Sequence, residues 1–163
     1  MNTQDKKAIV LFGRANTGKT TALKLLIEKL KSSSTLIKER SYYNRAHNET
    51  DKWAIFKHNG LLIAVVTGGD GLADIKKYLD DIDIYIEKSD KEELIGKEID
   101  MFILACRSKG KSIQFIIDNF AYVLWERKWG VEESNKTCRL LEIFQDEANE
   151  YQTDAILRTI SSI

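Results

Sequence analysis

With 163 residues, 43% hydrophobic and 31% charged, the chain has the length of one domain and a globular balance. Apolar runs such as Leu61–Val66 fall far short of the about 20 residues that a membrane span needs. Cys106 and Cys138 are too few for a disulfide scaffold or a Cys-rich zinc site. Basic and acidic residues cancel at 25 each, but unevenly: residues 1–60 carry a net +7, residues 61–100 a net −6, and residues 101–163 a net −1. The basic first third suits either an anion-binding half or solvated charged faces. The first ten residues lack a signal-peptide pattern and the cysteines are few, so the expected compartment is the cytoplasm.

Residues 7–12 read as a short apolar strand ending at Gly13. Residues 17–31 read as a helix, because Leu23, Leu26, Ile27 and Leu30 recur at helical spacing and form one stripe. Residues 35–40 read as a second strand, and the polar, aperiodic residues 41–51 as a loop of functional length. Residues 53–57 and Leu61–Val66 flank Asn59-Gly60, the pair that a tight hairpin turn with positive φ demands. Leu61–Val66 is apolar throughout, which suits a strand buried on both faces. A glycine-rich turn at 67–71 precedes a helix over 72–79, and a short helix is predicted around 91–97. Residues 101–106 read as another doubly buried strand, followed by the basic loop 107–111 and a helix over 112–121. Residues 122–125 are rich in Val, Tyr and Trp and read as a last strand. Residues 134–160 read as a helix whose seam is Leu141, Phe144, Ala148, Tyr151 and Ala155. The alternation predicts one α/β domain over residues 1–163, in three layers, with a mostly parallel sheet, one antiparallel hairpin and a C-terminal helix from about residue 134.

The most informative stretch is Gly13-Arg14-Ala15-Asn16-Thr17-Gly18-Lys19-Thr20. It matches G-x-x-x-x-G-K-[ST] at every fixed position, between an apolar strand and an amphipathic helix. Gly13 and Gly18 allow backbone conformations in which successive N–H groups turn toward one anion. The helix start adds its own unpaired N–H groups and positive dipole end. Lys19 adds a full positive charge, and the Thr20 hydroxyl is suited to Mg²⁺. On these residues the chain resembles the P-loop NTPase superfamily, through its Walker A motif. The resemblance implies a P-loop NTPase-like sandwich and a site for Mg²⁺ with ATP or GTP, lined by Gly13, Arg14, Ala15, Asn16, Thr17, Gly18, Lys19, Thr20 and Thr21. Lys19 would lie on the β and γ phosphates, Thr20 on the metal and Thr21 near the α-phosphate.

Such enzymes also need an acid beside the metal, at the end of a neighbouring buried strand. Asp70 is the first acid after Leu61–Val66, although Thr67, Gly68 and Gly69 intervene. It is assigned here as the catalytic and metal-binding acid with Lys19 and Thr20, or else as the N-cap of the next helix. Asp74 and Asp100 are the reserves. Arg107, Lys109 and Lys111 follow a strand end, where α/β ligands bind, and read either as phosphate-neutralising cations or as a solvated basic turn. Arg127 and Lys128 read as a charged strand end. The guanine-reading N-K-x-D motif is absent, which favours ATP, and L-S-G-G-Q is absent too.

His47 and His58 are too isolated for a metal cluster and read as surface histidines. Cys106, in a buried strand, reads as a core residue, and Trp53, Trp125 and Trp129 as packing residues. The expected function is Mg²⁺-dependent triphosphate binding and hydrolysis, with a small-molecule or nucleotide kinase and a non-hydrolysing nucleotide sensor as alternatives. A protein activator and a homodimer are the partners left open; nothing indicates nucleic acid or membrane.

Overall fold

The structure is a computed structural model that describes residues 6–14, 17–45, 49–128 and 139–163. The elements run β1 (Lys7–Gly13), α1 (Lys19–Ser33), β2 (Thr35–Asn44), β3 (Glu49–His58), β4 (Leu61–Val66), α2 (Leu72–Lys88), β5 (Met101–Arg107), α3 (Lys111–Asn119), β6 (Tyr122–Arg127) and α4 (Arg139–Ser161). They form one six-stranded sheet in the order β2-β3-β4-β5-β1-β6. Its two sides bury separate clusters. Ile75, Tyr78, Leu79 and Ile82 of α2 and Ile116 of α3 cover one face, with Trp53, Phe102 and Leu104 beneath them. Leu23, Leu26, Ile27 and Leu30 of α1, with Ile156 and Ile160 of α4, cover the other, over Phe56, Ile63 and Ile103.

The sheet corrects the expectation of a mostly parallel, P-loop NTPase-like arrangement with one hairpin. It is mixed: β2, β3 and β4 pair antiparallel, while β4-β5, β5-β1 and β1-β6 are parallel. The overlooked pairing lies in the stretch read as a loop. Ser41 pairs with Lys52, Tyr42 with Asp51, Tyr43 with Thr50 and Asn44 with Glu49, so β2 and β3 extend toward each other and leave only a short connection. An edge strand is held by backbone hydrogen bonds and needs no regular apolar alternation, so the polar composition concealed it. Tyr42 is anchored there by its hydroxyl, which donates to Asp81 Oδ2 at 2.6 Å.

The Asn59-Gly60 turn forms between β3 and β4 with both residues at positive φ, 49° and 85°. β4 and β5 are buried on both faces except at one end of each. The predicted helix around 91–97 is instead a pair of hydrogen-bonded turns, Leu94 N–H to the Lys91 carbonyl and Lys97 N–H to the Leu94 carbonyl. The helix before it runs on to Lys88, because Ile75, Tyr78, Leu79 and Ile82 keep helical spacing on its buried face and Tyr85 and Ile86 pack against the same cluster.

α4 also departs from the predicted seam. Tyr151 is 66% exposed, and the buried face is Asn149, Gln152, Thr153, Ile156 and Ile160. This face packs on α1, where the Thr153 hydroxyl donates to the Ala22 carbonyl at 3.1 Å. Apolar periodicity alone could not select it. The side chains of Leu141 and Phe144, and residues 134–138, lie outside the described residues. Among the described residues, no helix is long and apolar enough to cross a membrane.

Candidate functional site

The parallel strands β1, β4 and β5 end on the same side of the sheet, and β1 and β5 are in register, with Gly13 opposite Arg107. The segments that leave these ends build the site. The chain after β1 is clamped at its root. The Gly13 carbonyl accepts the Ser108 N–H at 3.1 Å, and the Phe12 carbonyl accepts the Lys128 N–H at 2.8 Å. A Cβ on Gly13 would lie 3.0 Å from the Thr17 hydroxyl and 3.3 Å from Lys128 Cβ, so this position has little room. The Thr17 hydroxyl folds back onto the Arg14 carbonyl at 2.9 Å.

Gly18 is the N-cap of α1, in the left-handed region at φ 82°. No side chain caps this helix, and its first turn contains no acid, so its N-terminal dipole is uncompensated from within the helix. Lys19 lies directly at this start and is only 5% exposed. Its ammonium group donates to the carbonyls of Arg14 (2.7 Å) and Gly13 (3.3 Å) and pairs with Asp70 Oδ1 at 3.5 Å. The Thr20 hydroxyl donates to the Thr67 carbonyl at 3.2 Å, which joins α1 to the end of β4. Arg14 and Thr21 are exposed, and Ala15 and Asn16 lie outside the described residues. A buried cation at an uncapped helix start is an arrangement that receives an anion.

Asp70 does not cap α2: the N-cap is Gly71, without a side-chain hydrogen bond. Its carboxylate instead faces two cations, Lys19 and Arg107, the latter through Nε at 3.9 Å. Asp74 sits in the first turn of α2. Asp100 is at the opposite end of the sheet, where it accepts the Leu62 N–H at 2.7 Å. Arg107 is about half-exposed, and Lys109 and Lys111 are exposed.

The glycines before Asp70 are required by close approach. A Cβ on Gly69 would run into the Ala105 carbonyl of β5, and one on Gly68 would press on Tyr78 and the Asp51 carboxylate. Thr67 is fully buried and extends the β3-β4 pairing, its hydroxyl accepting the Lys52 N–H at 2.8 Å.

Several residues near the site were missed by sequence reasoning. Asp51 is 6% exposed and accepts the Tyr78 hydroxyl proton at 3.1 Å. Burial and this carboxylate hold the Tyr78 hydroxyl well above the usual phenol range. The signal for Asp51 was a two-residue alternation with Trp53 and Ile55, which puts it on a core-facing row. Lys128, read as a charged strand end, is 4% exposed; burial and then the charge of Lys19 lower its pKa to about 8. Gln145 of α4 donates to the Thr17 carbonyl and to Asn149, both at 3.2 Å, and a Cβ on Gly18 would meet these two side chains. No spacing rule links residues 128 positions apart, so this contact had no local signal.

Cys106 is fully buried, and burial pushes its thiol up to about 12, with Asp70 adding to the shift and Lys19 opposing it. It is a core residue near the site. His58, expected at the surface, is 7% exposed and shares a 2.6 Å hydrogen bond through Nδ1 with Ser34. Trp53 is fully buried, and Trp125 packs edge-on against Phe12 at 5.9 Å. His47, Trp129 and Cys138 lie outside the described residues. Among the described residues, no three His, Cys, Asp or Glu side chains cluster as a metal cage. No family model, curated protein or solved structure matches the chain.

Proposed function

We propose that the chain binds a nucleoside triphosphate, ATP or GTP, with Mg²⁺ at Gly13–Thr20 and transfers the terminal phosphoryl group to water. The carrying observation is Lys19, a buried ammonium at an uncapped helix start, held by the carbonyls of the loop that precedes it. Lys19 and the first N–H groups of α1 bind and orient the phosphates and neutralise charge on them. Positioning and charge are nearly all that phosphoryl transfer asks of a protein.

The residues also fit Mg²⁺. This ion takes one or two protein oxygens and otherwise phosphate and water, and so needs no cage of three side chains. The Thr20 hydroxyl and, once free of Lys19, the Asp70 carboxylate would hold it; bound there, it would supply Lewis-acid chemistry to the phosphates. Thr67 fixes Thr20 through its carbonyl. Transfer to a small acceptor is the second reading. It is supported by Arg107, a half-exposed cation at the end of β5 in ion-pair range of Asp70.

The test is thermal unfolding with ATP, GTP, ADP and GDP, each with and without Mg²⁺. A ligand at 100 times its Kd adds about 2.7 kcal/mol, which for a chain of this length raises Tm by about 5–10 °C. A Mg²⁺-dependent rise with one triphosphate supports the reading and names the base. No rise with any nucleotide contradicts it. Phosphate release without an added acceptor then separates hydrolysis from the kinase and sensor alternatives.

A further inference from the structure

Two cations from different elements converge on one oxygen. Lys19 Nζ, at the start of α1, is 3.5 Å from Asp70 Oδ1, and Arg107 Nε, at the end of β5, is 3.9 Å from the same atom. The register of β1 and β5, which sets Gly13 against Arg107, brings the two together. The carboxylate between them has no capping duty, since α2 begins at Gly71 without a side-chain cap. It is delivered from Gly68 and Gly69, which can lie against β3 and β5 only because they lack Cβ atoms. An acidic oxygen in ion-pair range of the loop lysine and a neighbouring arginine stands where those cations would meet a phosphoryl oxygen, which has the same charge sign.

We infer that Lys19 and Arg107 form a two-cation site for the terminal phosphoryl group, and that Asp70 is an internal anion that fills this site until a triphosphate displaces it. The inference rests on the nucleotide reading above and assigns a role to Arg107 within it. The Asp70 side chain is 34% exposed, so its carboxylate borders solvent into which it can be displaced. Two consequences follow from this assignment. Asp70 competes with the third phosphate and little with the first two, so it lowers affinity for triphosphates selectively. Arg107 contributes to triphosphate binding and little to diphosphate binding, so it sets the preference between them. The released carboxylate is then free for the metal.

The experiment is calorimetric titration of ATP, GTP, ADP and GDP in EDTA, so that metal binding by Asp70 plays no part. The proteins are the wild type, Asp70→Asn, Arg107→Gln and, as a control for net charge, Asp80→Asn on the exposed face of α2. The expected result is a roughly tenfold tighter triphosphate complex in Asp70→Asn, with diphosphate affinity within about twofold of wild type. Arg107→Gln weakens the triphosphate complex about fivefold and leaves the diphosphate complex unchanged, and Asp80→Asn alters neither by more than about twofold. Equal tightening of both nucleotide classes in Asp70→Asn reports a general charge effect and overturns the inference. So does an unchanged or weaker triphosphate complex in Asp70→Asn, or an unchanged one in Arg107→Gln. If neither the wild type nor Asp70→Asn binds any nucleotide, with EDTA or with Mg²⁺, the nucleotide reading itself fails.

Discussion

Gly69→Ala tests how the segment that carries Asp70 is held. A Cβ at Gly69 would overlap the carbonyl of Ala105, a backbone group of a central strand, 2% exposed and paired with Leu11. A side chain in the way could turn aside; a ladder carbonyl cannot. The strain must therefore move residues 67–71 off β5 or distort β5 itself. Inserting a methyl group into a tight core costs about 1–3 kcal/mol, and a backbone obstacle places this site at the upper end, about 3 kcal/mol. Each kcal/mol lowers Tm by about 2–4 °C in a chain of this size, which gives a fall of about 6–12 °C. Gly60→Ala is the comparison. Nothing lies within 4 Å of its Cβ position, and only its φ of 85° resists substitution, for about 1 kcal/mol. Thermal unfolding by circular dichroism measures both, with urea unfolding to check that the m-value is unchanged. A Gly69→Ala protein that melts within about 2 °C of wild type would refute the close approach of this segment to β5.

Lys128→Met tests the buried ammonium beside Gly13. Its folded-state pKa, lowered from 10.5 to about 8, means that the unfolded chain binds more protons between these values. Stability should therefore rise with pH through the window from 8 to 10.5. The variant is expected to lack that rise, as read by urea unfolding at pH 7 and 9.5; a pH slope equal to wild type contradicts the assignment. Gln145→Ala removes the hydrogen bond from α4 to the Thr17 carbonyl. It should cost about 1 kcal/mol of stability and weaken triphosphate binding about fivefold, measured by melting and by titration. Lost stability with intact affinity would mean that α4 does not position the loop.

Much of the chain could be read before folding because its signals are local. The α1 stripe of Leu23, Leu26, Ile27 and Leu30 is fully buried, and the Asn59-Gly60 turn has two positive φ angles. Both depend on residues within a few positions of each other. The sheet was misread where information is non-local. Residues 41–44 pair with 49–52 through backbone bonds, which leave no apolar pattern. The α4 seam failed for a related reason. Thr153 is buried where the Ala22 carbonyl of α1 accepts its hydroxyl, Asn149 where Gln145 of its own helix donates to it, and Gln152 where its amide reaches Glu126 of β6, and hydropathy scores such residues as surface. The motif singled out Lys19 and Thr20 as candidates but carried no word of what faces them. That Asp70 meets Lys19 and Arg107 follows from the β1-β5 register, and that Lys128 is buried follows from β6 running beside β1.

The most direct test of the central claim is calorimetric titration of the wild type and Lys19→Ala with Mg-ATP and Mg-GTP, after circular dichroism has shown that the variant is folded. In the proposed site the buried charge of Lys19 faces the phosphates, and removing it should weaken the triphosphate complex about 100-fold or more. Affinity for both nucleotides that is unchanged by the substitution, or absent from the wild type, would contradict the account.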